Sequence, residues 1–145
     1  DDTYNSSPVA VEEALKALTS LSKATRRIAV LGDMLELGKF SIDEHKKVGT
    51  HAASAVDILV TVGVRSRHTA EGALQAGMKE DSVLQFDDSR SAGDYIQNLI
   101  HEGDAILVKG SQGVRMERVV EEIMLEPENK EKLLVRQDAE WQVRG

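Results

Sequence analysis

The chain has 145 residues, 18 basic and 25 acidic side chains, four His, no Cys and a formal charge of -7. That is one ordinary domain, long enough to bury roughly 68–70% of its unfolded surface without a disulfide or metal staple, and the lack of Cys excludes thiolate catalysis, Cys-ligated zinc and iron–sulfur clusters. Aromatics are 3% of the chain against 41% hydrophobic residues, which argues against stacking platforms for single-stranded nucleic acid, and the acidic balance argues against a phosphate-backbone partner.

In chain order, Asp1-Asp2-Thr3-Tyr4-Asn5 reads as a loop feeding a helix. Ser7 suits the N-cap, Pro8 the first helical position, and Val11, Ala14, Leu15, Leu18 and Leu21 form the apolar stripe. A loop feeding a helix in an α/β domain normally follows a strand, so the first strand is expected to be truncated and the chain to be cut from a longer protein. Arg27 to Gly32 is a short aliphatic run closed by glycine, as are Asp57 to Gly63 and Asp104 to Gly110. Ser82 to Phe86 is a weaker fourth strand, closed by the turn residues Asp87-Asp88. Near-continuous apolar runs predict strands buried on both faces, hence a parallel sheet.

Helical periods fill the intervals. Ser41-Ile42-Asp43-Glu44 reads as a capping box, opening a helix with His45, Val48, Gly49, Ala52 and Ala53 on its inner face. Thr69 to Ala76 is a short helix ended by Gly77; Ala92, Ile96, Leu99 and Ile100 form a stripe ended by Gly103; Met116, Val119, Val120 and Ile123 form the last helix. Strand–helix alternation predicts an α/β fold, a mostly parallel sheet flanked by helices, over residues 1 to 125. Residues 126 to 145 are charge-rich after Glu126-Pro127 and are expected to be a peripheral helix or tail. No apolar run approaches the ~20 residues of a membrane helix, and the N-terminus has no signal-peptide core. A cytoplasmic setting without membrane insertion is expected.

In such a sheet, ligands bind where the strands' carboxyl ends run into loops. Asp2, Tyr4 and Asn5 offer a carboxylate for ribose hydroxyls, an aromatic face for a base and an amide; helix capping and turn formation use the same residue types. The loop Gly32-Asp33-Met34-Leu35-Glu36-Leu37-Gly38 carries apolar residues between two acids, and either packs over the sheet edge or shapes a pocket. Lys109-Gly110-Ser111-Gln112-Gly113 suits an anion through its charge and close backbone approach, or is a tight turn with a solvated Lys. It lacks the G-x-x-x-x-G-K-[ST] and G-x-G-x-x-G patterns. The four His share no metal-ligand spacing; His45 reads as a packed or capping side chain.

Asp1-Asp2-Thr3-Tyr4-Asn5-Ser6-Ser7-Pro8, the 32 to 38 loop, His45 with Val48-Gly49, Val62-Gly63, Leu107-Val108-Lys109-Gly110-Ser111 and Met116-Glu117 together resemble the C-terminal domain of Mur ligases, in the branch that adds D-alanyl-D-alanine. The likeness runs to about residue 124, with Ser6 and Ser7 in place of the commoner Ala and Asn. It implies a Rossmann-like domain of an ATP-dependent amide ligase in peptidoglycan synthesis, joining D-Ala-D-Ala to UDP-MurNAc-tripeptide through an acyl phosphate. ATP and Mg would be held mainly by a central ATPase domain outside this chain, so the chain alone is expected to be inactive. The resemblance assigns Asp2, Tyr4 and Asn5 to the nucleotide, Lys109, Gly110 and Ser111 to the dipeptide, and Asp33, Glu36 and His45 to the same cleft without separate roles. Two other readings remain: a folylpolyglutamate or cyanophycin synthetase relative, and a stand-alone Rossmann-like binding or regulatory domain.

Overall fold

The aliphatic runs become strands: β1 (Arg26–Gly32), β2 (Ile58–Val62), β3 (Val83–Phe86) and β4 (Asp104–Lys109). In this computed structural model of the chain, residues 7–110 are described in full, and 133–137 and 140–144 as backbone. The helices are α1 (Pro8–Thr19), α2 (Ser41–Ala55), α3 (Arg67–Gln75) and α4 (Ser89–Leu99). The stripe of Met116 to Ile123, the domain boundary at 125, and Asp2, Tyr4, Asn5 and Ser111 lie outside the described residues.

The strands stand in the order β3-β2-β1-β4, all parallel. From β1 the chain steps outward to β2 and β3, then returns past β1 to β4. The strand order therefore reverses between β1 and β4, the switch point at which open parallel sheets bind their ligands.

Side chains alternate across each strand and build two cores. Ala29, Leu31, Leu59, Ala105 and Leu107 face α1, α2 and α3, meeting Val11, Leu15, Leu18, Val48, Ala52 and Ala73. Ile28, Val30, Val60, Val62, Ile106 and Val108 face α4 through Ala92 and Ile96. Burial on both faces is what the unbroken apolar runs anticipate, and no aromatic ring takes part in either buried set.

Helix starts follow local chemistry in two cases. The Ser7 hydroxyl accepts from Ala10 N–H at 3.2 Å, with Pro8 inside the first turn. Asp88 caps α4, its Oδ1 accepting from Ser91 N–H at 2.8 Å. The expected capping box at Ser41 does not form. A 3-10 turn, Gly38–Phe40, runs straight into α2, leaving Ser41 helical at φ -55° and ψ -48°. An N-cap needs extended backbone to turn its side chain onto the amides ahead, so the Ser41 hydroxyl lies instead beside His45.

The chain's end also differs from expectation. Where a helix or tail is expected, backbone at β5 (Leu133–Gln137) and β6 (Glu140–Arg144) continues the sheet. β5 pairs parallel with β4, Ile106 opposite Val135, and β6 pairs antiparallel with β5. The physical reason lies in β4: without a neighbour, its outer edge would present a row of unpaired amides and carbonyls.

Candidate functional site at the carboxyl edge

Asp33 follows the last residue of β1 and is 4% exposed. Its Oδ1 accepts from both the amide (2.8 Å) and the hydroxyl (2.9 Å) of Ser66, in the turn after β2. Its Oδ2 lies 3.6 Å from the guanidinium of Arg65, which is 54% exposed. The carboxylate reaches this position because residue 63 is glycine: a Cβ there would come 2.5 Å from Asp33 Oδ1, and the backbone sits at φ 109°. Asp33 is thus a clamp joining the β1–α2 loop to the β2–α3 loop, with one oxygen already occupied.

His45 anchors the same loop from beneath. It is 0% exposed on the inner face of α2. Its Nε2 accepts from Met34 N–H at 3.1 Å, and its Nδ1 lies 2.7 Å from the Ser41 carbonyl oxygen. An amide only donates and a carbonyl only accepts, so the proton belongs on Nδ1 and the ring is neutral. Burial pushes its pKa below the usual 6.5, against the Ser41 carbonyl and the charge of Asp33, which favour the protonated ring. The expectation of a packed side chain holds, and the structure adds which loop it fixes.

Between these anchors the loop packs and exposes its residues in turn. Met34 is buried and Leu37 packs against the same core. Glu36 stands exposed at the tip with φ 64°, a left-handed backbone that a non-glycine residue holds only where its neighbours enforce it. Of the two readings left open by the residues, packing over the sheet edge is what the described contacts show.

Across the switch point, Lys109 ends β4 beside Leu31 of β1. It is 8% exposed, and strand alternation puts it on the face of Ala105 and Leu107. Gly110 follows it directly. Arg65, paired with Asp33, and the buried Lys109 therefore stand on either side of the end of β1. Asp33 and His45 anchor the loop after β1, Glu36 stands at its tip and Lys109 ends the neighbouring strand, while Asp2, Tyr4, Asn5 and Ser111 lie outside the described residues. Gly63, Arg65 and Ser66 are not among the candidate site residues read from the sequence, although Gly63 closes the second aliphatic run and belongs to the resemblance, and Arg65 and Ser66 lie in the loop that follows it. Gly63, closing β2 as Gly32 closes β1, is the one local signal; Asp33 and Ser66 are 33 positions apart.

Among the described residues no group of three acidic or His side chains could hold a metal ion, and no helix is long and apolar enough to cross a membrane.

Comparison with known proteins adds the following. The family model described as Mur ligase, glutamate ligase domain, matches residues 2–112. A UDP-N-acetylmuramoyl-tripeptide–D-alanyl-D-alanine ligase from Bacillus subtilis (strain 168) is 31% identical over 128 residues, covering 88% of this chain and 28% of the relative. A crystal structure of MurF from Acinetobacter baumannii superposes with TM-score 0.73 at 29% identity, over 87% of this chain and 28% of that one. The MurF ligase of Thermotoga maritima in complex with ADP superposes with TM-score 0.65 at 28% identity, over 85% of this chain and 27% of that one. The chain thus spans little more than a quarter of the length of these relatives.

Proposed function

The chain belongs to the Mur ligase family, matching its glutamate ligase domain, and on that premise we propose that it is the C-terminal, nucleotide- and dipeptide-contacting domain of an ATP-dependent amide ligase. The reaction joins D-Ala-D-Ala to UDP-MurNAc-tripeptide in the cytoplasmic stage of peptidoglycan synthesis, on which cell shape and division depend. ATP phosphorylates the tripeptide carboxylate, the dipeptide amine attacks the acyl phosphate, and the tetrahedral intermediate collapses to the amide with release of phosphate.

The observation that carries the reading is the match of residues 2–112 to the glutamate ligase domain, with Lys109 ending the strand beside the loop that Asp33 and His45 anchor. In this reading Lys109, Gly110 and Ser111 receive the dipeptide carboxylate, and Asp2, Tyr4 and Asn5 contact the ribose and base of ATP. Asp33 and His45 hold the loop that borders them, with Glu36 at its tip. The family resemblance assigns Mg and the phosphates mainly to a central ATPase domain outside this chain. Closure of this domain over that one excludes water, which protects the acyl phosphate from hydrolysis.

The test is phosphate release from ATP by the full-length protein, with UDP-MurNAc-tripeptide, with and without D-Ala-D-Ala. Release that requires the dipeptide and yields UDP-MurNAc-pentapeptide supports the proposal. Release stimulated by glutamate instead, or indifferent to the dipeptide, overturns it.

A further inference from the structure

We propose that His45 is a positioning residue whose neutral Nδ1–H tautomer holds the 33 to 37 loop in its working shape, and which releases that loop when the ring is protonated. In the neutral ring Nδ1–H donates to the Ser41 carbonyl at 2.7 Å, leaving Nε2 free to accept from Met34 N–H at 3.1 Å. The imidazolium has no lone pair on either nitrogen. Protonation would set two N–H groups face to face in a site of 0% exposure, where a donor without an acceptor is unfavourable.

What would move is the loop and not the helix. His45 lies within α2, held by its backbone ladder, whereas Met34 belongs to a connection containing the left-handed Glu36 at φ 64°. Backbone of that kind persists only while its surroundings over-determine it. Three anchors do so here: the Asp33 clamp on Ser66, the Met34 hydrogen bond to His45, and the packing of Met34 and Leu37 in the core. Protonation removes the middle one.

The groups that set the balance come from each neighbouring element. Asp33 on the β1–α2 loop and the Ser41 carbonyl on α2 favour the charged ring; Arg65 on the β2–α3 loop and His68 on α3 oppose it, as does burial, the largest influence. The sign follows: loop release occurs on the acid side of 6.5, and the loop is fully held at neutral pH.

Its consequence for turnover rests on the ligase reading, but the structural test does not. In the full-length protein, amide hydrogen exchange over residues 33 to 40, corrected for intrinsic rates, is measured from pH 5 to 8. Protection of this segment should be constant at neutral pH and drop about 10-fold once the ring is protonated, on the acid side of 6.5, while β4 stays protected. His45→Gln carries its side-chain oxygen to about the place of Nε2 and does not titrate, so its protection should be pH-independent. His45→Asn reaches only the place of Nδ1, and should leave the loop exchanging fast at every pH. A wild-type loop that stays protected at a pH where its imidazole 15N shifts show His45 protonated, or Asn and Gln variants that behave alike while folded, would overturn the assignment. Should both variants fail to fold, imidazole 15N shifts of the wild type decide, because a proton found on Nε2 at neutral pH contradicts it. In the ligase assay the Asn variant should raise a substrate KM more than it lowers kcat, with the Gln variant restoring it. Loss of dipeptide dependence in the wild type would count against the ligase reading and leave the exchange result standing.

Discussion

Gly49 and Gly72 sit at the crossing of α2 and α3, each against the backbone of the other's helix. A Cβ on Gly49 would overlap the Thr69 carbonyl oxygen, and one on Gly72 would overlap the Lys46 carbonyl oxygen. The contact brings the first turn of α3, and with it Arg65 and Ser66, up against the helix that carries His45. Neither clash can be relieved by a flexible side chain, so the helices must separate. Gly49→Ala and Gly72→Ala should each cost about 1–3 kcal/mol, lowering the melting temperature of the domain by roughly 3–10 °C. Unchanged melting in both would show that the crossing is not this close.

The clamp between the two loops predicts an order of effects. Asp33→Ala leaves both the amide and the hydroxyl of Ser66 without their acceptor, whereas Ser66→Ala removes one donor and keeps the other bond. In urea titrations Asp33→Ala should cost more stability, about 1–3 kcal/mol, with Ser66→Ala costing about 1 kcal/mol. Equal losses would mean that the hydroxyl carries the whole interaction.

At the opposite edge of the sheet, Arg26 and Asp104 form a two-pronged pair, Nε to Oδ1 at 3.0 Å and NH2 to Oδ2 at 2.8 Å. Asp104 is buried and also accepts from His101 N–H at 2.8 Å. Arg26→Met strands that carboxylate in the sheet and should cost about 3 kcal/mol, while Arg26→Met with Asp104→Leu should cost less than Arg26→Met alone. Additive losses in denaturant titrations would contradict this.

Acid should weaken the fold in two stages. Because the folded pKa of His45 lies below its ordinary 6.5, the unfolded chain binds more protons as pH falls beneath 6.5, and stability declines until the folded ring titrates too. Glu71, held low by His68, and Asp88, held low by the Ser91 amide, act in the same direction only as pH falls below about 4.5 and 3.8. Denaturation midpoints between pH 5 and 7 should therefore slope in the wild type and flatten in His45→Gln.

If the proposed ligase reading holds, the two ends of the site separate kinetically. Lys109→Ala should raise the KM for dipeptide more than that for ATP, and Asp2→Ala the reverse. Equal effects on both constants would assign these residues to domain closure alone.

Much of this architecture is written in short-range pattern. The aliphatic runs from Arg27, Asp57 and Asp104 specify strands buried on both faces, because only a sheet covered on two sides makes use of every side chain in such a run. The Ser7-Pro8 start of α1 and the stripes of α1, α2 and α4 are equally local, as is the ring of polar loops at the carboxyl edge. The family resemblance rests on the same stretches.

The order β3-β2-β1-β4 is not local, since it depends on which strands find one another across intervening helices. Nor are the roles of Asp33 and His45. Read along the chain, Asp33 is one more acid in a loop and His45 a residue on a helix face. Only folding brings Ser66 to the first, across 33 positions, and the Met34 amide to the second. The failed capping box at Ser41 and the strands at Leu133–Gln137 and Glu140–Arg144 have the same origin. Composition and period determine what each segment can bury, and the satisfaction of backbone and buried polar groups by distant partners decides what each does.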